Sequence, residues 1–254
     1  MVSKSGKARE RGDGSSLPRL SALTLFFLYP IFSVLAIYGC ETDGQEENIP
    51  GIPLLHRADT IPQQDAIRIE WDANTEEDLA GYKVYRRISP EAKAPEFQTI
   101  ATVLGDDSYY EDTDVAIGVK YYYRISAFNE SGNESEKSSV VDYTLLEKPI
   151  LTEPVDQATI ETTSPVFAWL GVPGASSYTI HVHGRAADAG TWEETWCSEK
   201  VYPYQDLSKA YNDDNHASKP LESGMTCRWL VDSSGGPSVG SQSRWRHFSV
   251  SIGE

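Results

Sequence analysis

The sequence predicts an all-β protein, two tandem β-sandwiches behind an N-terminal apolar segment and a flexible tether. Three observations carry that expectation. Ile67-Arg-Ile-Glu-Trp71 and Tyr121-Tyr-Tyr-Arg-Ile-Ser-Ala-Phe128 alternate apolar and polar residues with period two, the signature of half-buried strands. Between them, Gly81-Tyr-Lys-Val-Tyr-Arg-Arg87 and Phe97-Gln-Thr-Ile-Ala-Thr-Val103 are short and bounded by Pro, Gly, Asp or Asn, so strands recur at sandwich spacing. After the proline-punctuated joint Lys148-Pro-Ile-Leu-Thr-Glu-Pro154 the pattern restarts.

The first forty residues stand apart. Lys4, Lys7, Arg9, Arg11 and Arg19 precede an uncharged apolar run, Leu20 to Gly39, which leads directly into Cys40. Such a run is a secretion signal or a membrane anchor. The ending Ile37-Tyr-Gly-Cys40 resembles the lipobox of bacterial lipoproteins, with Tyr38 a departure from its preferred small residues. That resemblance implies a signal segment over 1–39, lipidation at Cys40 and an address in the bacterial envelope, at the outer membrane or cell surface. An uncleaved single-pass anchor is the alternative. Residues 40–49 are acidic and apolar-poor and read as a flexible tether.

Within the first module, Trp71, the run Leu79-Ala-Gly-Tyr-Lys-Val-Tyr-Arg86, Asp112-Thr113, and Tyr121-x-Tyr-Arg-Ile-x-Ala-x-Asn129 followed by Gly132 and Ser138-Ser139 resemble a fibronectin type III domain over residues 50–147. The resemblance implies a Greek-key sandwich, with Trp71 packed between the sheets and Tyr121 making a corner hydrogen bond. Residues 148–254 echo the order: Pro165-Val-Phe-Ala-Trp169, then Gly174-Ala-Ser-Ser-Tyr-Thr-Ile-His-Val182, then Thr226-Cys-Arg-Trp-Leu-Val231. They resemble a divergent fibronectin type III or immunoglobulin-like sandwich with Trp169 and Trp229 in its core. Its middle, Arg185 to Pro220, is longer than the pattern, and Cys227 stands where the first module has Tyr121.

Formal net charge is -16, and the basic leader makes the remainder more acidic still. A polyanion would be repelled, so no nucleic-acid partner is expected. With Cys40 lipidated, Cys197 and Cys227 form an even pair in an oxidising compartment, and a disulfide between them is expected. His181 and His183 alternate on the outward face of their strand, as two zinc ligands need. A third ligand would have to come from His216, His247 or a carboxylate, so the expectation is solvent-facing histidines, with no metal and no cofactor. Trp192, Trp196, Tyr202 and Tyr204 share parity across the insert, which makes them either a ligand-stacking platform or a hydrophobic flap.

No familiar nucleophile, zinc-protease or phosphate-loop motif occurs, so the chain is expected to be a non-enzyme. The leading functional expectation is a protein-binding or scaffold lipoprotein with an envelope protein partner. The alternative is a carbohydrate-binding surface lipoprotein, its polysaccharide held by the second module's aromatic residues.

Overall fold

The computed structural model describes residues 48–88, 96–105, 107–186 and 190–253. The signal segment, Cys40 and the tether as far as Glu47 lie outside the described residues. Among the described residues no helix is long and apolar enough to cross a membrane.

The first seven strands are β1 (Leu55–Thr60), β2 (Ile67–Trp71), β3 (Leu79–Ile88), β4 (Gln98–Leu104), β5 (Tyr109–Asp112), β6 (Lys120–Asn129) and β7 (Val141–Leu145). Strands β1, β2 and β5 form one sheet, and β4, β3, β6 and β7 are neighbours in the other. Alternation places the side chains: Ile67, Ile69 and Trp71 from the first sheet meet Tyr82, Val84, Tyr123 and Ile125 from the second in one buried cluster. The Trp71 ring sits 5.1 Å from Tyr82, whose hydroxyl accepts from Asn74 N–H at 2.6 Å. Tyr121 makes the corner bond, accepting from Ala116 N–H at 2.9 Å.

The remaining strands are β8 (Ile150–Glu153), β9 (Ala158–Ile160), β10 (Val166–Leu170), β11 (Ser177–Arg185), β12 (Glu193–Cys197), β13 (Ser208–Ala210), β14 (Thr226–Gly236), β15 (Val239–Gln242) and β16 (Arg246–Val250). They repeat the first arrangement. Strands β13, β10 and β8 make a three-stranded sheet, while β12, β11, β14 and β15 lie in series with β16 also on β14. Trp169 and Tyr178 reproduce the Trp71–Tyr82 contact at 5.7 Å, with Tyr178 Oη accepting from Val172 N–H at 2.7 Å. A second core gathers Phe167, Trp169, Trp229 and Phe248.

The two larger sheets are continuous. Strands β7 and β15 pair in parallel, Thr144 with Val239 and Leu145 with Gly240, giving one ten-stranded sheet. Gly240 permits close approach on both sides, since a Cβ there would lie 2.5 Å from Ser233 O on β14 and 3.0 Å from the Tyr143 hydroxyl on β7. Lys148, in the proline-punctuated joint, donates to Ile61 O at 2.8 Å and Gln242 O at 3.0 Å, fastening elements of both sandwiches.

The expected disulfide is absent: Cys197 and Cys227 are both free. The reason is register. Cys197 pairs with His181 and Cys227 with Gly184, so β11 runs between them and they are offset by three positions. Two strand spacings are roughly 10 Å, and the offset adds about as much along the strand. A disulfide requires Cα atoms within about 7 Å. The two also face opposite ways, Cys227 into the core and Cys197 to the exterior.

One polar cluster on the first sandwich contributes to its acid stability. Glu134 accepts from Lys83 Nζ at 2.5 Å, from Ser126 Oγ at 2.6 Å and from the Tyr85 hydroxyl. Burial alone would raise its carboxyl, but these three donors outweigh it and hold the group down at about 2, against an ordinary 4.5. A depressed carboxyl stabilises the fold above its unfolded value and loses that contribution as pH falls toward the folded one. Chemical denaturation at pH 5 and pH 2.5 is therefore expected to differ less in Glu134→Gln than in wild type, by about 2 kcal/mol after solvent screening.

Candidate functional site

The long insert of the second sandwich divides its aromatic residues among three environments. A β-bulge in β12 is the cause: Val182 pairs with Trp196 while His183 pairs with Glu194, leaving Thr195 as the extra residue. Trp196 therefore turns inward. It is 1% exposed, lies 5.9 Å from Phe167 and 5.3 Å from Tyr211, and donates from Nε1 to Asp214 at 2.8 Å. Its place on the binding platform is corrected accordingly: it is core. Asp214 also receives Glu199 N–H at 2.8 Å and His216 N–H at 3.1 Å. Burial works against its charge, yet these donors keep its carboxyl below the usual range.

Trp192 stays on the outer face but is already engaged. The guanidiniums of Arg185 and Arg228 lie 4.5 and 4.7 Å from its ring, and Arg228 also lies 4.2 Å from Trp245. His183 continues the row, 4.8 Å from Trp245. This cation–π ladder braces the outer surface of the sheet.

Among the described residues, no cation sits over Tyr202 or Tyr204. They are 39% and 82% exposed, and their rings stack 5.5 Å apart at 7°. The turn beneath them is fixed. Val201 and Tyr178 exchange backbone hydrogen bonds of 2.8 and 2.7 Å, Pro203 restricts the backbone between the tyrosines, and Tyr202 N–H donates to Gln205 Oε1 at 2.8 Å. The result is a flat ring face held outward with hydroxyls at its rim, suited to an apolar ring surface edged by polar groups.

Lys200, one residue before this turn, lines a cleft of about 440 Å³ whose walls also include Asp59, Thr60, Tyr143, Asp232 and Ser233. Hydroxyls alternate there with charges of both signs, and Asp232 Oδ1 is buried without a hydrogen-bond partner among the described residues. Such a lining offers donors and acceptors to a polyhydroxylated ligand.

His181 and His183 do share the outer face, but among the described residues neither His216 nor His247 belongs to a ligand cluster with them; His216 lies 3.9 Å from Glu199 and His247 5.9 Å from Trp192. The groups that do approach His181 are Glu194, Cys197 and Asp232. Their convergence depends on the bulge and on strand order, so alternation alone gives no signal of it.

No family model matches the chain. A curated relative is the amylopullulanase of Thermoanaerobacterium saccharolyticum, 29% identical over 146 residues, covering 54% of this chain and 11% of that protein. The chain thus spans about a tenth of its length. Among solved structures, an Fn3-like protein from Clostridium thermocellum is 32% identical, covering 37% of this chain and 90% of that one, with a TM-score of 0.30. This chain has a fibronectin type III/immunoglobulin-like β-sandwich fold. A β-1,2-glucanase from Parabacteroides distasonis is 27% identical over 37% of this chain and 12% of its own, with a TM-score of 0.32. The match to the amylopullulanase, an enzyme, corrects the expectation of a non-enzyme and of a pure binding module. Missing familiar motifs do not exclude catalysis on this scaffold.

Proposed function

We propose that this chain engages carbohydrate outside the cytoplasm, as part of the handling of a glucan. The observation that carries the reading is the exposed, parallel Tyr202–Tyr204 pair on its anchored turn, beside a cleft rich in hydroxyls and charges. The match to an amylopullulanase supports the same ligand class. Polysaccharide accordingly takes precedence over an envelope protein as partner. In this reading residues 50–147 and 148–254 are two tandem Greek-key modules, and lipidation of Cys40 tethers them at the outer membrane or cell surface. The sugar's apolar face stacks on Tyr204 while its hydroxyls reach the cleft.

Because Tyr204 is almost wholly exposed, its removal separates binding from folding. Tyr204→Ala is expected to weaken glucan binding at least about tenfold in calorimetric titration, while changing stability by less than about 0.5 kcal/mol. Unchanged affinity in Tyr204→Ala and in the Tyr202→Ala/Tyr204→Ala double variant would remove the site from consideration. Following reducing ends in the same mixtures reads any hydrolysis directly.

A further inference from the structure

We propose that His181, Glu194 and Cys197 bind a divalent cation of the zinc type on the outer face of the second sandwich. The placement follows from strand geometry. His181 and Cys197 are direct cross-strand partners on β11 and β12, which puts their side chains on one face. Glu194 is three residues from Cys197 and in a regular strand would point the other way. The bulge at Thr195 adds the one residue needed to return it to the outer face, where it pairs with His183. One ligand atom from each of His181, Glu194 and Cys197 then lies within 4.8 Å of the others.

The donor set fits the ion. Imidazole nitrogen, thiolate sulfur and carboxylate oxygen are the three donor types zinc takes, at about 2.0 to 2.3 Å, so donors around a tetrahedral ion sit roughly 3.5 Å apart. Closing from 4.8 Å requires only rotation of the exposed Cys197 and Glu194 side chains. Charge balances as well: thiolate and carboxylate together offset two positive charges.

Asp232 supplies the orienting contact. His181 Nδ1 faces Glu194 Oε1 at 2.7 Å, and its Nε2 faces Asp232 Oδ2 at 3.2 Å. With Nε2–H donated to Asp232, the Nδ1 lone pair points at the Glu194–Cys197 side, which is the carboxylate–histidine–metal arrangement. Asp232 acts as a positioning residue and does not contact the ion. Three protein ligands leave a fourth position for water or a ligand atom. The site also accounts for Cys197 standing unpaired on the exterior while Cys227 is sealed in the core.

Cobalt(II) is the probe, titrated into the full chain with zinc as competitor. One equivalent is expected to bind with a sulfur-to-cobalt charge-transfer band in the near ultraviolet and tetrahedral bands in the visible, both abolished by zinc. Cys197→Ser is expected to remove the charge-transfer band, His181→Gln to weaken binding at least about tenfold, and Asp232→Asn to weaken it by about 10- to 100-fold while keeping the spectrum. Cys40→Ser and Cys227→Ala are expected to leave it intact. Zinc is further expected to slow alkylation of Cys197, which reads the site without a spectrum. Absence of the charge-transfer band, its survival in Cys197→Ser, or alkylation of Cys197 indifferent to zinc would each overturn the proposal.

Discussion

Trp196→Ala is expected to destabilise the protein by about 3 to 5 kcal/mol, the range for deleting a large buried aromatic side chain. The ring contacts Phe167 and Tyr211, and neither has room to move: they are 0% and 4% exposed. Its indole N–H donates to Asp214, so truncation also strips a partner from a carboxylate that organises the turn at Glu199 and His216. Urea denaturation measures the loss. Trp192→Ala is the control, expected to cost clearly less because the ring is only partly buried and contacts the outer ladder. Equal effects would mean that Trp196 does not occupy the core.

Asp112→Ala is expected to cost a similar 3 to 5 kcal/mol, this time in the first sandwich, because it removes the buried partner of a largely buried charge and leaves only an exposed one. Asp112 is 1% exposed and takes both oxygens to Arg86 Nη1, at 2.9 and 2.8 Å, with Tyr123 Oη donating at 2.9 Å. Arg86 spans inward from β3 and also bonds Asp114 O at 2.6 Å, so it cannot swing to solvent without giving up that loop. Without Asp112, a fully buried phenol loses its acceptor and a largely buried guanidinium keeps only the exposed carboxylate and the carbonyl of Asp114, at 3.0 and 2.6 Å. Denaturant melts test this together with the Arg86→Met/Asp112→Leu double variant, which removes both charges and is expected to recover part of the stability. A double variant no better than Asp112→Ala would show that packing and not unpaired charge sets the cost.

The sequence made the first sandwich legible because its signals are local. Ile67, Ile69 and Trp71 alternate without interruption, and Tyr121 lies within five residues of the amide it binds. Trp169, Tyr178 and Trp229, in the second core, are marked by the same local alternation. The candidate sites were harder to read because one extra residue resets parity. Trp192, Glu194 and Trp196 share parity in the chain, yet the Thr195 bulge sends the first two outward and the third into the core. The same bulge separates Cys197 from the inward face that Cys227 occupies. Asp232 reaches His181 only because β14 lies beside β11, a pairing between residues about fifty positions apart. Tyr202 and Tyr204 were identifiable as a pair of neighbouring aromatics, whereas their exposure depends on how Val201 is anchored to Tyr178.

The most direct measurement is a calorimetric titration of the wild-type protein with pullulan, amylose and β-1,2-glucan in parallel. Saturable heat is expected with at least one of these glucans, weakened at least about tenfold by Tyr204→Ala at unchanged melting temperature. No saturable heat with any of them, from protein that unfolds cooperatively, would rule out glucan binding at this site.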